Sequence, residues 1–129
     1  LAKKSPRWRE VVILETFRHG HNNYEWGGHS KFAREEGGLN DQDLQAIATG
    51  GDSPTLTAED RLLRRIVQTL LTTRDVPDDL FQEARRVLGL PILFDAVTLC
   101  LQYHATTLAF KIWRLPVPKD WPQPFTPEY

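Results

Sequence analysis

The sequence predicts an all-α protein, a bundle of about six helices, on three observations. Apolar residues recur at helical spacing in one segment after another, no segment alternates as a half-buried strand does, and Pro and Gly fall where helices start and stop. The 129 residues suffice for a single domain with its own core. Positions 1–115 read as that helical domain and 116–129 as a Pro-rich tail.

Each element has a local reason. Ser5-Pro6 offers a capping hydroxyl and a proline at the first helical position, and Val11, Val12, Ile13, Leu14 and Phe17 carry the helix to about His19, stopped by Gly20. Asn22 or Asn23 caps a second helix that runs to Glu36 and ends at Gly37-Gly38. A short third spans Asn40 to Gly50. Thr57 and Asp60 have capping-box spacing and open a fourth, with the stripe Leu63, Ile66, Val67, Leu70 and Leu71. Pro77 opens a fifth, with Leu80, Phe81, Ala84, Val87 and Leu88 expected inward and Gly89 as its stop. Pro91 opens the sixth, to about Trp113. Because it is apolar nearly all round, it is expected to be the central, buried helix. Five of the nine prolines lie between Pro116 and Tyr129, so the tail is an extended arm or disordered.

Composition excludes several classes. Hydrophobic residues make up 40% and charged residues 26%, the profile of a globular chain. Sixteen Lys/Arg against seventeen Asp/Glu leave a net charge of -1, without the concentrated basic face that nucleic-acid binding needs. The Arg64-Arg65 and Arg85-Arg86 pairs therefore read as solvated helix faces. The longest uncharged stretch, Ala96 to Phe110, is too short to span a membrane. The lone Cys100 excludes an internal disulfide and a CxxC pair. The chain starts at Leu1 and has no Met, so sequence is expected ahead of it. The absence of a signal-peptide pattern in these residues predicts a cytoplasmic location.

Polar groups on apolar stripes mark the candidate site. Glu10 heads the stripe of Ile13, Leu14 and Phe17. In the second helix Asn22, Glu25, Trp26, His29, Phe32 and Ala33 share one face, and Glu25 and His29 stand one turn apart, within reach of a shared hydrogen bond. A carboxylate and an imidazole facing a core suit proton transfer, or serve only to fix helix packing. Gly27-Gly28 costs about 1 kcal/mol per residue relative to alanine, so either the helix begins later or a substrate or neighbouring helix packs closely against that turn. His19, His21, Glu25 and His29 suggest a metal site only weakly, since no recognised ligand spacing is present, and none is assigned. His104, on the face of Val97, Leu101 and Leu108, is a core histidine or a second lining of the His29 pocket.

Taken together, Arg9-Glu10-Val11-Val12-Ile13-Leu14, Asn23-Tyr24-Glu25-Trp26 with His29, Leu56-Thr57-Ala58-Glu59-Asp60-Arg61, Val76-Pro77 and Tyr103 resemble the carboxymuconolactone decarboxylase / AhpD-like superfamily, over roughly Pro6 to Leu115. The resemblance implies an AhpD-like helical bundle that assembles as a homo-oligomer, a trimer or hexamer, with pockets near subunit interfaces. In the peroxidase branch a CxxC precedes the histidine. Here Asn22 and Glu25 stand at those two positions, so a thiol peroxidase is not expected. The remaining, cofactor-free branch implies a decarboxylase acting on a small carboxylic acid, a lactone or β-keto acid, with no nucleic-acid or membrane partner. His29 is then the proton donor and acceptor, with Glu25 or Glu10 setting its tautomer. Tyr24 is placed at a developing enolate oxygen, and Trp26, Phe17, Asn22, Tyr103 and His104 line the substrate site. A non-decarboxylating isomerase or cyclase would use the same proton-transfer set. A non-catalytic helical interaction subunit would use it only for packing.

Overall fold

The computed structural model describes residues 5–129, so the first four positions of the expected 1–115 domain lie outside the described residues. Among the described residues the chain is all-helical, with no strand. Its six helices are α1 (Pro6–Gly20), α2 (Asn23–Glu35), α3 (Asp41–Thr49), α4 (Ala58–Thr73), α5 (Asp78–Leu88) and α6 (Leu90–Ile112).

The helix ends follow local chemistry. Ser5 Oγ accepts from the Trp8 N–H ahead of Pro6, and the Asn22 side chain accepts from the Glu25 N–H to cap α2. Asn40 with Asp43 and Thr57 with Asp60 form reciprocal capping boxes at α3 and α4. Gly89, at φ +85°, separates α5 from α6. Gly20 does more than stop α1. A Cβ there would lie 2.4 Å from Thr107 Cγ2, so the missing side chain is what lets α6 approach, and His21 takes the left-handed turn instead.

The central helix is α1, not α6. Every residue from Glu10 to Phe17 is buried, and α2, α3, α4 and α6 all pack against it. α6 turns Ile92, Leu93, Ala96, Cys100 and Thr107 inward, but Phe94 is 70% exposed and Leu90, Leu101, Leu108 and Ile112 are exposed as well. Likewise α5 buries Ala84 and Leu88, half-buries Leu80 and exposes Phe81 and Val87. Hydrophobicity on all sides records what a residue type prefers, whereas a lone chain supplies only enough neighbours for one side. Arg64 is also unlike its expectation. It is buried, donating to Glu15 Oε2 at 2.9 Å and to the carbonyls of Gly51 and Ala46. Glu15 is fully buried and also accepts from Arg18 and Gln68, so this network ties α1 to α4 and to the end of α3.

The Pro-rich tail is an extended arm docked on its own domain. Asn23 donates to the Phe125 carbonyl at 2.9 Å and accepts the Phe125 N–H at 3.0 Å, satisfying an isolated stretch of backbone. The Phe125 ring is buried edge-on against Trp26, and Trp121 packs on Tyr24.

Candidate functional site

The backbones of α2 and α6 flank α1 without packing closely on each other. Between them is a cavity of about 300 Å³ bounded by Arg9, Glu10 and Ile13 of α1, His29 and Phe32 of α2, Glu36 and Tyr103. At its centre is a hydrogen-bonded pair across two helices: His29 Nδ1 lies 2.9 Å from Glu10 Oε2. Glu10 is 1% exposed, and its other oxygen accepts from Arg9 Nε at 2.9 Å. Arg9 is held from the far side by Glu36 at 2.8 Å. Glu36 and then Glu10 hold the Arg9 guanidinium firmly protonated, its pKa raised despite some burial. A chain Glu36–Arg9–Glu10–His29 thus runs along one wall. Because a carboxylate only accepts, Nδ1 is the donor, and Nε2 is left as the nitrogen available to a ligand.

The imidazole is fixed by rings as well. Phe17 and Tyr103 each meet it edge to face at 5.3 Å, and Phe32 does so at 5.8 Å. Tyr103 also packs on Phe17 at 5.6 Å. Burial, with the nearby Glu25 and Glu10 charges, pushes the Tyr103 phenol above its usual range, so it is a hydrogen-bond donor at neutral pH.

Four of the residues singled out from sequence therefore converge: Glu10, His29, Phe17 and Tyr103. Others do not. Glu25 makes no hydrogen bond to His29; its carboxylate accepts from Asn22 Nδ2 at 3.3 Å, and desolvation raises its pKa against the opposing effects of His29 and Asn22. Glu10 rather than Glu25 orients the imidazole, because Glu10 reaches it from the facing helix. Asn22 is committed to capping α2 and to Thr107 Oγ1 at 2.9 Å. Trp26 is buried on the far side of α2 against the arm, and Tyr24 packs between Phe110 and Trp121, so neither lines the His29 cavity. Trp26 shares a line with the buried Ser30 and Ala33, at i+4 and i+7, whereas His29 lies with Phe32 and Glu36 on the neighbouring line, and Tyr24, five residues before His29, is on another side of the helix.

His104 is likewise outside this cavity. It lies 5.9 Å from His19, half-buried, with Nδ1 enclosed and without a hydrogen-bond partner. Among the described residues no three His, Cys, Asp or Glu side chains converge on a common point: His19 faces His104 and His21 faces the arm. Cys100 is fully buried with its thiol pKa pushed up by desolvation, the opposite of an activated thiolate. Gly27 lies under Pro122 at ordinary contact distance, and no atom comes within 4 Å of where a Gly28 Cβ would be, so nothing in this chain requires either glycine. Sequence reasoning missed Arg9 and Glu36. Their pairing depends on how α1 and α2 pack, and its only trace in sequence is a charged residue beside Glu10.

No helix among the described residues is long and apolar enough to cross a membrane. Comparison with protein-family models, curated proteins and solved structures gave no match.

Proposed function

We propose that the chain is a cofactor-free acid/base enzyme, and most specifically a decarboxylase of a lactone or β-keto-type carboxylic acid. The observation that carries the reading is the buried Glu10–His29 pair opening on a cavity also lined by Tyr103. A carboxylate held against Nδ1 fixes the tautomer and stabilises the imidazolium, leaving Nε2 for the substrate. In the reaction the bond to the carboxylate carbon breaks and its electron pair enters the conjugated carbonyl as an enolate while CO2 leaves. Nε2 of the His29 imidazolium then delivers a proton to carbon and is reprotonated from water. Tyr103, a protonated phenol beside His29, takes the enolate-oxygen role that the sequence had given to Tyr24. Phe32 and Ile13 supply the apolar walls against which a departing carboxylate loses its hydration, with Phe17 packed behind the imidazole.

The test is CO2 release from carboxymuconolactone and a panel of β-keto acids, wild type beside His29→Gln. Release that falls about a hundredfold or more in the variant supports the reading. Release indifferent to His29, or none from any compound, removes the decarboxylase.

The same proposal includes a homo-oligomer. Phe94, Leu101 and Leu108 repeat at intervals of seven, the spacing of a helix–helix seam, and continue into Ile112 and Trp113, which are 67% and 80% exposed. A stripe of this length is more than a monomer ordinarily leaves in water.

A further inference from the structure

A second cavity, of about 320 Å³, lies where the α1–α2 turn, the last turns of α6 and the arm meet, and it shares no lining residue with the His29 cavity. Tyr103 and Lys111 lie eight residues apart on α6, a separation of about 12 Å along the axis. The lining is polarised. His21, Lys111 and Arg114 contribute its basic groups, Tyr24 and Phe110 meet edge to face at 5.3 Å on another wall, and Glu128 is its sole acidic member among the described residues.

Glu128 occupies the basic end. Its Oε1 lies 3.2 Å from His21 Nδ1 and its Oε2 3.1 Å from Lys111 Nζ, and the Lys111 ammonium holds the carboxyl below its usual range. A carboxylate of the chain itself is thus seated between the Lys111 ammonium and the His21 ring at the mouth of a cavity with aromatic walls. The arm is fastened upstream of it, at Phe125, by the paired hydrogen bonds to Asn23 and by the contact with Trp26. Residues beyond Phe125 are held by polar contacts at the surface: the Thr126 carbonyl to His21 at 2.9 Å, Glu128 to His21 and Lys111, and the Tyr129 hydroxyl to the Leu115 carbonyl. Glu128 can therefore leave without undocking the arm.

We propose that this cavity is a binding site for a small organic carboxylate with an apolar body, whose carboxylate replaces Glu128 between Lys111 and His21. The cavity volume is at the small end of ligand pockets, the size of a single-ring acid. The exchange conserves charge: one carboxylate leaves Lys111 and His21 and another takes its place. Glu128 is then a tethered competitor, and a short tether gives it an effective concentration in the millimolar range, which weakens the apparent affinity of any free carboxylate. The site is separate from the acid/base reading and stands without it.

Benzoate is a suitable probe, titrated calorimetrically into the full chain, with neutral benzamide as the control for the ring alone. Glu128→Gln removes the competitor and is expected to tighten benzoate binding about tenfold. In the Glu128→Gln background Lys111→Gln is expected to weaken it by about tenfold, the scale of one charge-assisted hydrogen bond, and His29→Gln to leave it unchanged. Each variant is checked for an unaltered melting transition, with Lys111→Met replacing Lys111→Gln if the latter is unstable. The proposal is overturned if Glu128→Gln binds no tighter than wild type, if loss of the cation costs nothing, or if benzamide binds as well as benzoate. Binding that depends on His29 instead places the acid in the other cavity and overturns it equally. So does the absence of saturable binding in wild type and Glu128→Gln alike.

Discussion

Glu10→Gln tests the reasoning about the candidate site most sharply, because it keeps the shape and removes only the charge. Glu10 uses both oxygens, one on Arg9 Nε and one on His29 Nδ1, each at 2.9 Å, inside a site where it is 1% exposed. A glutamine has one acceptor oxygen. With that oxygen toward His29, the new amide N–H faces the Arg9 N–H, and two donors oppose each other with almost no water between. With the oxygen toward Arg9, the amide donates to His29 Nδ1, and the imidazole must move its proton to Nε2. The second arrangement satisfies every group, so it is the one expected. Two charge-assisted bonds become ordinary ones, a loss of about 2 kcal/mol. The loss stays near that figure because Arg9 keeps Glu36 at 2.8 Å and is not left unpaired. For a chain of this length it corresponds to a fall in Tm of roughly 8 °C. Nitrogen-15 NMR of the histidine ring reads the tautomer directly: wild type carries the bound proton on Nδ1, the variant on Nε2. Turnover, once a substrate is in hand, should fall about 10² to 10⁴-fold, because no carboxylate remains against Nδ1 to stabilise the imidazolium whose Nε2 delivers the proton. A variant that keeps the Nδ1 proton and melts within about a degree of wild type would refute this account of the pair.

Gly20→Ala is expected to cost about 1–3 kcal/mol, because Thr107 Cγ2 would lie 2.4 Å from the added methyl and Thr107 Oγ1 is held by Asn22. Adding Thr107→Ser removes that methyl and should restore most of the loss in denaturant melts; no rescue would show that the approach of α6 is not what demands the glycine. Burial first, then His104, depresses the His19 pKa below 6.5. A depressed folded value means stability that is present above the unfolded pKa and lost as pH falls through the folded one, so His19→Gln should lose less Tm than wild type between pH 7.5 and 5. Equal losses would exclude His19 as a source of acid sensitivity. If the proposed homo-oligomer forms through this stripe, Phe94→Glu with Leu101→Glu should convert it to monomer in light scattering at micromolar concentration, and a wild-type monomer there would count against the seam.

What the sequence made legible follows from how local each feature is. Capping at Ser5, Asn22, Asn40 and Thr57 depends on bonds to residues three positions away, so these helix starts could be read from spacing alone. The unusual placement of Glu10 and His29 was legible for a related reason: each is a polar group on an otherwise apolar stripe. Which carboxylate meets the imidazole was not, because Glu25 is near in sequence while Glu10 is near only after α1 and α2 pack. Glu15 with Arg64, and Arg9 with Glu36, escaped in the same way, since an ion pair across helices leaves no periodic trace.

The misplacement of α6 has a different origin. Apolar residues on every side of a helix say that each side prefers to be covered, without saying by which molecule. In this chain α1 takes the centre, with eight consecutive buried residues, and α6 is covered on one side only. The uncovered side carries leucines and a phenylalanine in a repeating register rather than the lysines and glutamates that would make it comfortable in water. A helix with the composition of a buried one and the position of a surface one is accounted for if a second copy of the chain supplies the missing neighbours. Under that reading the sequence signal was accurate about burial and silent about whose residues provide it.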